Sequence, residues 1–122
     1  MAFYETVFII RQDISSVNVE KLSEEFARII KENAGEVIKT EYWGLRSLAY
    51  EINNNRKGHY VMFVLSADPL AVHEMERKMK LSGDVLRFMS MRVDQPSQEP
   101  SAILRDRIFE EESVDVTAKP KS

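Results

Sequence analysis

Apolar and polar positions along the chain fall into short segments with two different rhythms. Phe3–Arg11 is brief and rich in aromatic and β-branched residues, which predicts a strand. Tyr4, Phe8 and Ile10 fall on one of its faces and Val7 and Ile9 on the other, the pattern of a central strand with apolar cover on both sides. After Ser15 and Ser16, either able to cap, Val19, Leu22, Phe26, Ile29 and Ile30 recur at helical spacing as far as Asn33-Ala34-Gly35, so the first helix meets a glycine stop. From Glu36 to Ile52 no helical period survives, and Val37, Ile38, Thr40, Tyr42 and Trp43 predict a long strand that bends at Gly44.

The polar run Asn53-Asn54-Asn55-Arg56-Lys57-Gly58 separates that strand from the apolar run His59–Leu65, a hairpin signal. Asp68-Pro69 then offers a cap followed by proline at the first helical position, and Val72, Met75 and Met79 form the buried stripe of a second helix. After Ser82-Gly83-Asp84 a last strand spans Val85–Val93, with Leu86 and Phe88 read onto one face and Arg87, Met89 and Met91 onto the other. Strand, helix, strand, strand, helix, strand is the order of an α+β ferredoxin-like (split βαβ, βαββαβ) domain: a four-stranded antiparallel sheet with both helices on one face and the other face open.

Beyond Asp94 the composition shifts toward proline, serine and acid, which divides the chain into a domain over 1–94 and a flexible acidic C-terminal tail over 95–122. Within the tail, Ile103–Glu112 is a candidate for a short amphipathic helix on a partner. Charge sharpens the division. The chain has a formal charge of -3, yet residues 1–93 carry 13 Lys+Arg against 13 Asp+Glu, while residues 94–122 carry 4 against 7. A neutral body grips phosphates weakly on its own, so any RNA binding is expected to be weak or to need a partner's help.

Enzyme chemistry finds little support. The two histidines, His59 and His73, stand outside any metal-ligand or nucleophile motif, and four glycines are too few for a phosphate-cradling loop. No cofactor, no metal and no small-molecule substrate is expected. With no cysteine the chain has no disulfide framework, and its N-terminal MAFYETVFII lacks the basic start of a signal peptide and meets Arg11 too soon for a membrane span, so no membrane association and a cytoplasmic location are expected.

Two features point to binding instead. The basic residues Arg46, Arg56, Lys57, Lys80, Arg87 and Arg92, with Lys78, crowd the second half of the chain and form a candidate phosphate-contacting edge. The stretch Lys57-Gly58-His59-Tyr60-Val61-Met62-Phe63 has the outline of an RNA-recognition strand, but His59 and Val61 occupy its stacking positions, so base stacking is not expected. The second feature is the open sheet face, to which Val7, Ile9, Val61, Phe63, Met89 and Met91 are assigned. Monomers seldom leave such a patch bare, so a protein partner, a second copy or the C-terminal tail is expected to cover it.

The run Tyr42-Trp43-Gly44-Leu45-Arg46-Ser47-Leu48-Ala49-Tyr50, followed by Ile52, a polar turn and Gly58-His59-Tyr60, resembles the second and third strands of the family of the sixth protein of the bacterial small ribosomal subunit, as does Phe3-Tyr4-Glu5. The likeness runs in register from residue 2 to about residue 93; Glu51, where many members have proline, and the acidic tail depart from it. It implies a non-enzymatic constituent of the subunit, monomeric in isolation. Its partners would be the central domain of small-subunit ribosomal RNA and the eighteenth small-subunit protein. On that resemblance the six basic residues are RNA contacts, with Arg46 foremost because it lies inside the matching run. The open face and the long strand serve the partner protein, while Trp43 and Tyr50 are read as packing residues.

Overall fold

The computed structural model describes residues 1–96, so the expected tail lies outside the described residues apart from Gln95 and Pro96. The elements are β1 (Ala2–Arg11), α1 (Ser16–Glu32), β2 (Glu36–Ile52), β3 (Asn55–Ala67), α2 (Pro69–Leu81) and β4 (Val85–Val93). The strands form one antiparallel sheet in the order β2-β3-β1-β4, the ferredoxin-like plan expected from the element order.

Both helices lie on one face, the inner one. Phe8 and Ile10 of β1 and Val61, Phe63 and Leu65 of β3 pack there against Val19, Phe26 and Ile30 of α1 and Val72, Met75 and Met79 of α2. Ser15 caps α1 by accepting from the Asn18 N–H, and Pro69 opens α2, where its missing N–H costs nothing. The stop of α1 differs from the expectation. Ala34, not Gly35, takes the left-handed conformation (φ 65°). Gly35 is required for space, because a Cβ there would stand 2.9 Å from both Ala67 Cβ and Ile30 Cγ2.

Hairpin closure is tight. Ile52 pairs with Asn55 across Asn53 and Asn54, both at positive φ (48° and 67°), as a two-residue turn of the type matching strand twist demands. β3 therefore starts at Asn55, four residues before the apolar run. At Gly44 the backbone reaches φ 95° and the β2–β3 register slips, which is the expected bend.

Register also corrects the assignment of faces. Val7 pairs with Met62 and Ile9 with Tyr60, so the outer face carries Tyr60, Met62 and Val64. Val61 and Phe63, expected on that face, instead point into the helix-covered core, because they pair with Phe8 and Thr6 on the inner side. Leu86 is corrected too. A register shift between Ile9 and Ile10 places it with Met89 and Met91 on the outer face, while Phe88 stays inside. Nor is the outer face open: Val7, Ile9 and Met62 have 0% exposure, and Tyr60 and Val64 have 1%.

Candidate nucleic-acid interface

The basic residues are positioned by one end of the sheet, where β2 and β3 turn and β1 runs into α1. Arg46 pairs with Gly58 and Ser47 with Lys57, so Arg46, Arg56 and Lys57 stand close together at the hairpin end. The hairpin is tied down from the side. The buried Asn55 accepts from the Gln12 N–H (3.0 Å) and donates to the Asn53 carbonyl (2.9 Å), while Gln12 Oε1 accepts from the Lys57 N–H (3.0 Å). A loop that would otherwise be mobile is thus fixed to the β1–α1 connection, and its cations with it. Nothing in the sequence pattern marked Gln12 and Asn55 for this role, since each is an ordinary polar residue until the fold brings them together.

Arg87 joins the same end from β4. It lies opposite Ile9, and its guanidinium donates to Tyr50 Oη at 3.4 Å, linking the far end of β2 to β4 over the outer face. Arg46 Nε donates to the Trp43 carbonyl (3.3 Å), and Arg56 has Glu51 at 3.7 Å. Glu51 thus sits within ion-pair reach of one of the proposed contacts. Lys80 lies in the last turn of α2, where the helix dipole favours a cation, and α2 leads into Val85 opposite Ile10 at this end. Arg92 does not belong to the group: it pairs with Tyr4 on the helix side, five residues of β4, or ~17 Å, from Arg87.

Between Arg56, Lys57, Ser47, Leu48, Tyr50 and Glu51 the surface forms a shallow groove of about 510 Å³. Its electrostatics are mixed, because Arg11, at the same end, is engaged by Asp13 in a short bidentate pair and by Asp84 at 3.6 Å. Hydrogen bonding to Arg11 holds the Asp13 carboxyl below the usual carboxylate range. Besides Arg11, the cations placed toward this end of the fold are Arg46, Arg56, Lys57, Lys80 and Arg87.

The apparent RNA-recognition strand presents neither of its stacking positions at the surface. His59 and Val61 are 6% and 2% exposed and face the helices, and His59 Nδ1 is bonded to Tyr42 Oη at 2.8 Å. Trp43 lies over Tyr60, with ring centroids 6.4 Å apart and planes at 15°, and its indole N–H donates to Glu41 (2.9 Å). Packing is thus the role of Trp43, as expected, whereas Tyr50 is 41% exposed and reaches outward to Arg87.

Hydrogen bonds from Lys39 first, and then from Trp43, hold the Glu41 carboxyl below the ordinary glutamate range. A depressed folded-state pKa adds stability above the unfolded value, and that stability is lost as pH falls through the folded one. Trp43 fluorescence is accordingly expected to titrate below pH 4.5, and Glu41→Gln to abolish the transition. A midpoint at or above 4.5 would show that the pair does not form in solution.

Residues 3–92 match the Ribosomal protein S6 family. The chain belongs to that family. The small ribosomal subunit protein bS6 of Rickettsia bellii (strain RML369-C) is 50% identical over 119 residues, covering 97% of this chain and 99% of that protein. The bS6 protein of Parvibaculum lavamentivorans is 54% identical over 107 residues, covering 88% of this chain and 69% of the relative. Among solved structures, that of 30S ribosomal protein S6 from Thermotoga maritima superposes with a TM-score of 0.71 at 29% identity, covering 75% of this chain and 87% of that one. The S6 family consists of ribosomal proteins rather than enzymes, and this chain is not an enzyme. Among the described residues no helix is long and apolar enough to cross a membrane, and no cluster of side chains could hold a metal ion.

Proposed function

We infer that the chain is a structural constituent of the small ribosomal subunit in the bacterial cytoplasm, binding the central domain of small-subunit ribosomal RNA together with the eighteenth small-subunit protein. The observation that carries this reading is the gathering of Arg46, Arg56, Lys57, Lys80 and Arg87 at one end of the sheet in an S6-family chain. Phosphate contacts from rigid strands position a protein on RNA without reading its sequence. Five cations beside Asp13, Asp84 and Glu51 make a modest anion-binding edge, so high affinity requires the partner.

The partner surface is narrower than the apolar face assigned from sequence. Val7 and Ile9 are wholly buried, which leaves Met89 and Met91 partly accessible there. The edge strand β2 presents Tyr42, Leu45 and Tyr50, each 41–50% exposed, and aromatic anchors of this kind dominate protein interfaces.

The reading is tested by the affinity for a central-domain RNA fragment at fixed salt, with and without the partner protein. Tight binding that requires the partner is expected; no binding in either case would refute it. Arg46→Ala is expected to weaken the complex by ~1–3 kcal/mol and lower the salt slope by about one. Unchanged affinity with unchanged slope would remove Arg46 from the interface.

A further inference from the structure

We propose that the bulge at residues 48–51 and the hairpin beside it hold one unpaired RNA nucleotide, with its base stacked on Tyr50 and its phosphate at Arg56 and Lys57. The inference rests on the ribosomal RNA reading and adds a second mode of contact to it. Its origin is a break in the β2–β3 ladder. Ser47 pairs with Lys57 and Ile52 with Asn55, so the four residues 48–51 of β2 face the single residue Arg56 of β3. Such an excess pushes a strand out of its sheet and re-aims its side chains. Leu48 packs into the outer cluster, where it is 9% exposed, and Tyr50 reaches across to Arg87, which donates to its hydroxyl.

Between the bulge and the hairpin lies the groove of about 510 Å³, within the ~300–1,000 Å³ usual for small-ligand sites. Its charge is unevenly placed. The Arg56 side chain is 83% exposed and has only a loose ion pair, 3.7 Å, with Glu51, so together with the exposed Lys57 it offers a lip for a phosphate. Glu51 also lines the groove, and its carboxylate repels a phosphate from the interior, which favours a neutral group carrying N–H donors there. A nucleobase is such a group, with a flat face for an aromatic ring. Tyr50 suits the part: it is 41% exposed, it follows the anchored Leu48, and its hydroxyl is held by Arg87. A ring fixed in advance loses little freedom on binding. Cations on the hairpin side and at the hydroxyl surround Tyr50 with positive charge, which favours RNA over a protein occupant. Tyr42 and Leu45 line no part of this groove and are left to the partner protein.

The test uses the full chain, the eighteenth small-subunit protein and the central-domain RNA fragment at fixed salt. Tyr50→Leu is expected to weaken RNA binding roughly 5- to 150-fold, the equivalent of ~1–3 kcal/mol, with the salt slope unchanged because no phosphate contact is lost. Tyr50→Phe keeps the ring and should retain most of the affinity. Full affinity in Tyr50→Leu would overturn the stack while leaving the ribosomal reading intact, whereas no binding by the unaltered chain would refute both. An equal loss of affinity for the partner protein in the absence of RNA would assign Tyr50 to a protein interface and overturn the proposal. Should Tyr50→Leu not fold, ultraviolet crosslinking of the unaltered complex decides the matter. A nucleotide attached to the peptide that carries Tyr50 is the expected result, and crosslinks confined to other peptides would refute the stack.

Discussion

Phe8→Ala is expected to remove ~3–5 kcal/mol of stability, a large part of the ~5–15 kcal/mol that holds a domain of this size together. Phe8 is wholly buried on the central strand β1, and both of its aromatic neighbours meet it edge to face: Phe26 at 5.5 Å and 86°, Phe63 at 5.1 Å and 69°. These contacts join α1, β1 and β3, so truncation leaves a cavity where three elements meet, and close-packed surroundings refill it only in part. Denaturant unfolding should show a lower midpoint with an unchanged slope. A loss below ~1.5 kcal/mol would mean that the helices collapse onto the sheet far more readily than such a core usually allows.

Gly58→Val is expected to cost ~1–3 kcal/mol or more through overpacking. A Cβ on Gly58 would stand 2.4 Å from Ile9 Cγ2 and 3.4 Å from the Ile10 carbonyl oxygen. Ile9 is wholly buried and stiff at χ1, so it has no easy rotamer into which to retreat. Because Gly58 pairs with both Arg11 and Arg46, the displaced backbone would also disturb the basic end of the sheet. Lower thermal stability and weaker RNA binding should therefore appear together. Wild-type stability in this variant would show that β3 can move away from β1 without loss.

The element order was legible because helical and strand rhythms differ and because Ser15, Asp68-Pro69 and the asparagine run punctuate them at the right places. The inner stripe of both helices followed from spacing alone: Val19, Phe26 and Ile30 in α1, and Val72, Met75 and Met79 in α2, are the residues that are buried. The likeness of the Tyr42–Tyr50 run to the S6 family was carried by residue identities, which no folding was needed to reveal.

The faces of β3 were not legible. Tyr60 to Leu65 is an unbroken apolar run, so its sequence contains no alternation to say whether odd or even residues meet the helices. Register alone settles that, and a slip by one residue exchanges every side chain between faces; Val61 and Phe63 were assigned to the outer face for this reason. The bulge that carries Leu86 outward is likewise invisible in composition.

For the candidate interface, the sequence by itself determined which cations exist, and the tertiary structure decided which of them share an end of the sheet. Arg46, Arg56, Lys57 and Arg87 share one end of the sheet because antiparallel pairing brings the start of β3, the far half of β2 and the start of β4 there, and Lys80 lies in the last turn of α2, which leads into β4. Arg92, only five residues after Arg87, is carried to the opposite end and to the other face. A strand advances ~3.4 Å per residue and alternates its sides, so closeness in sequence guarantees neither the same end nor the same face.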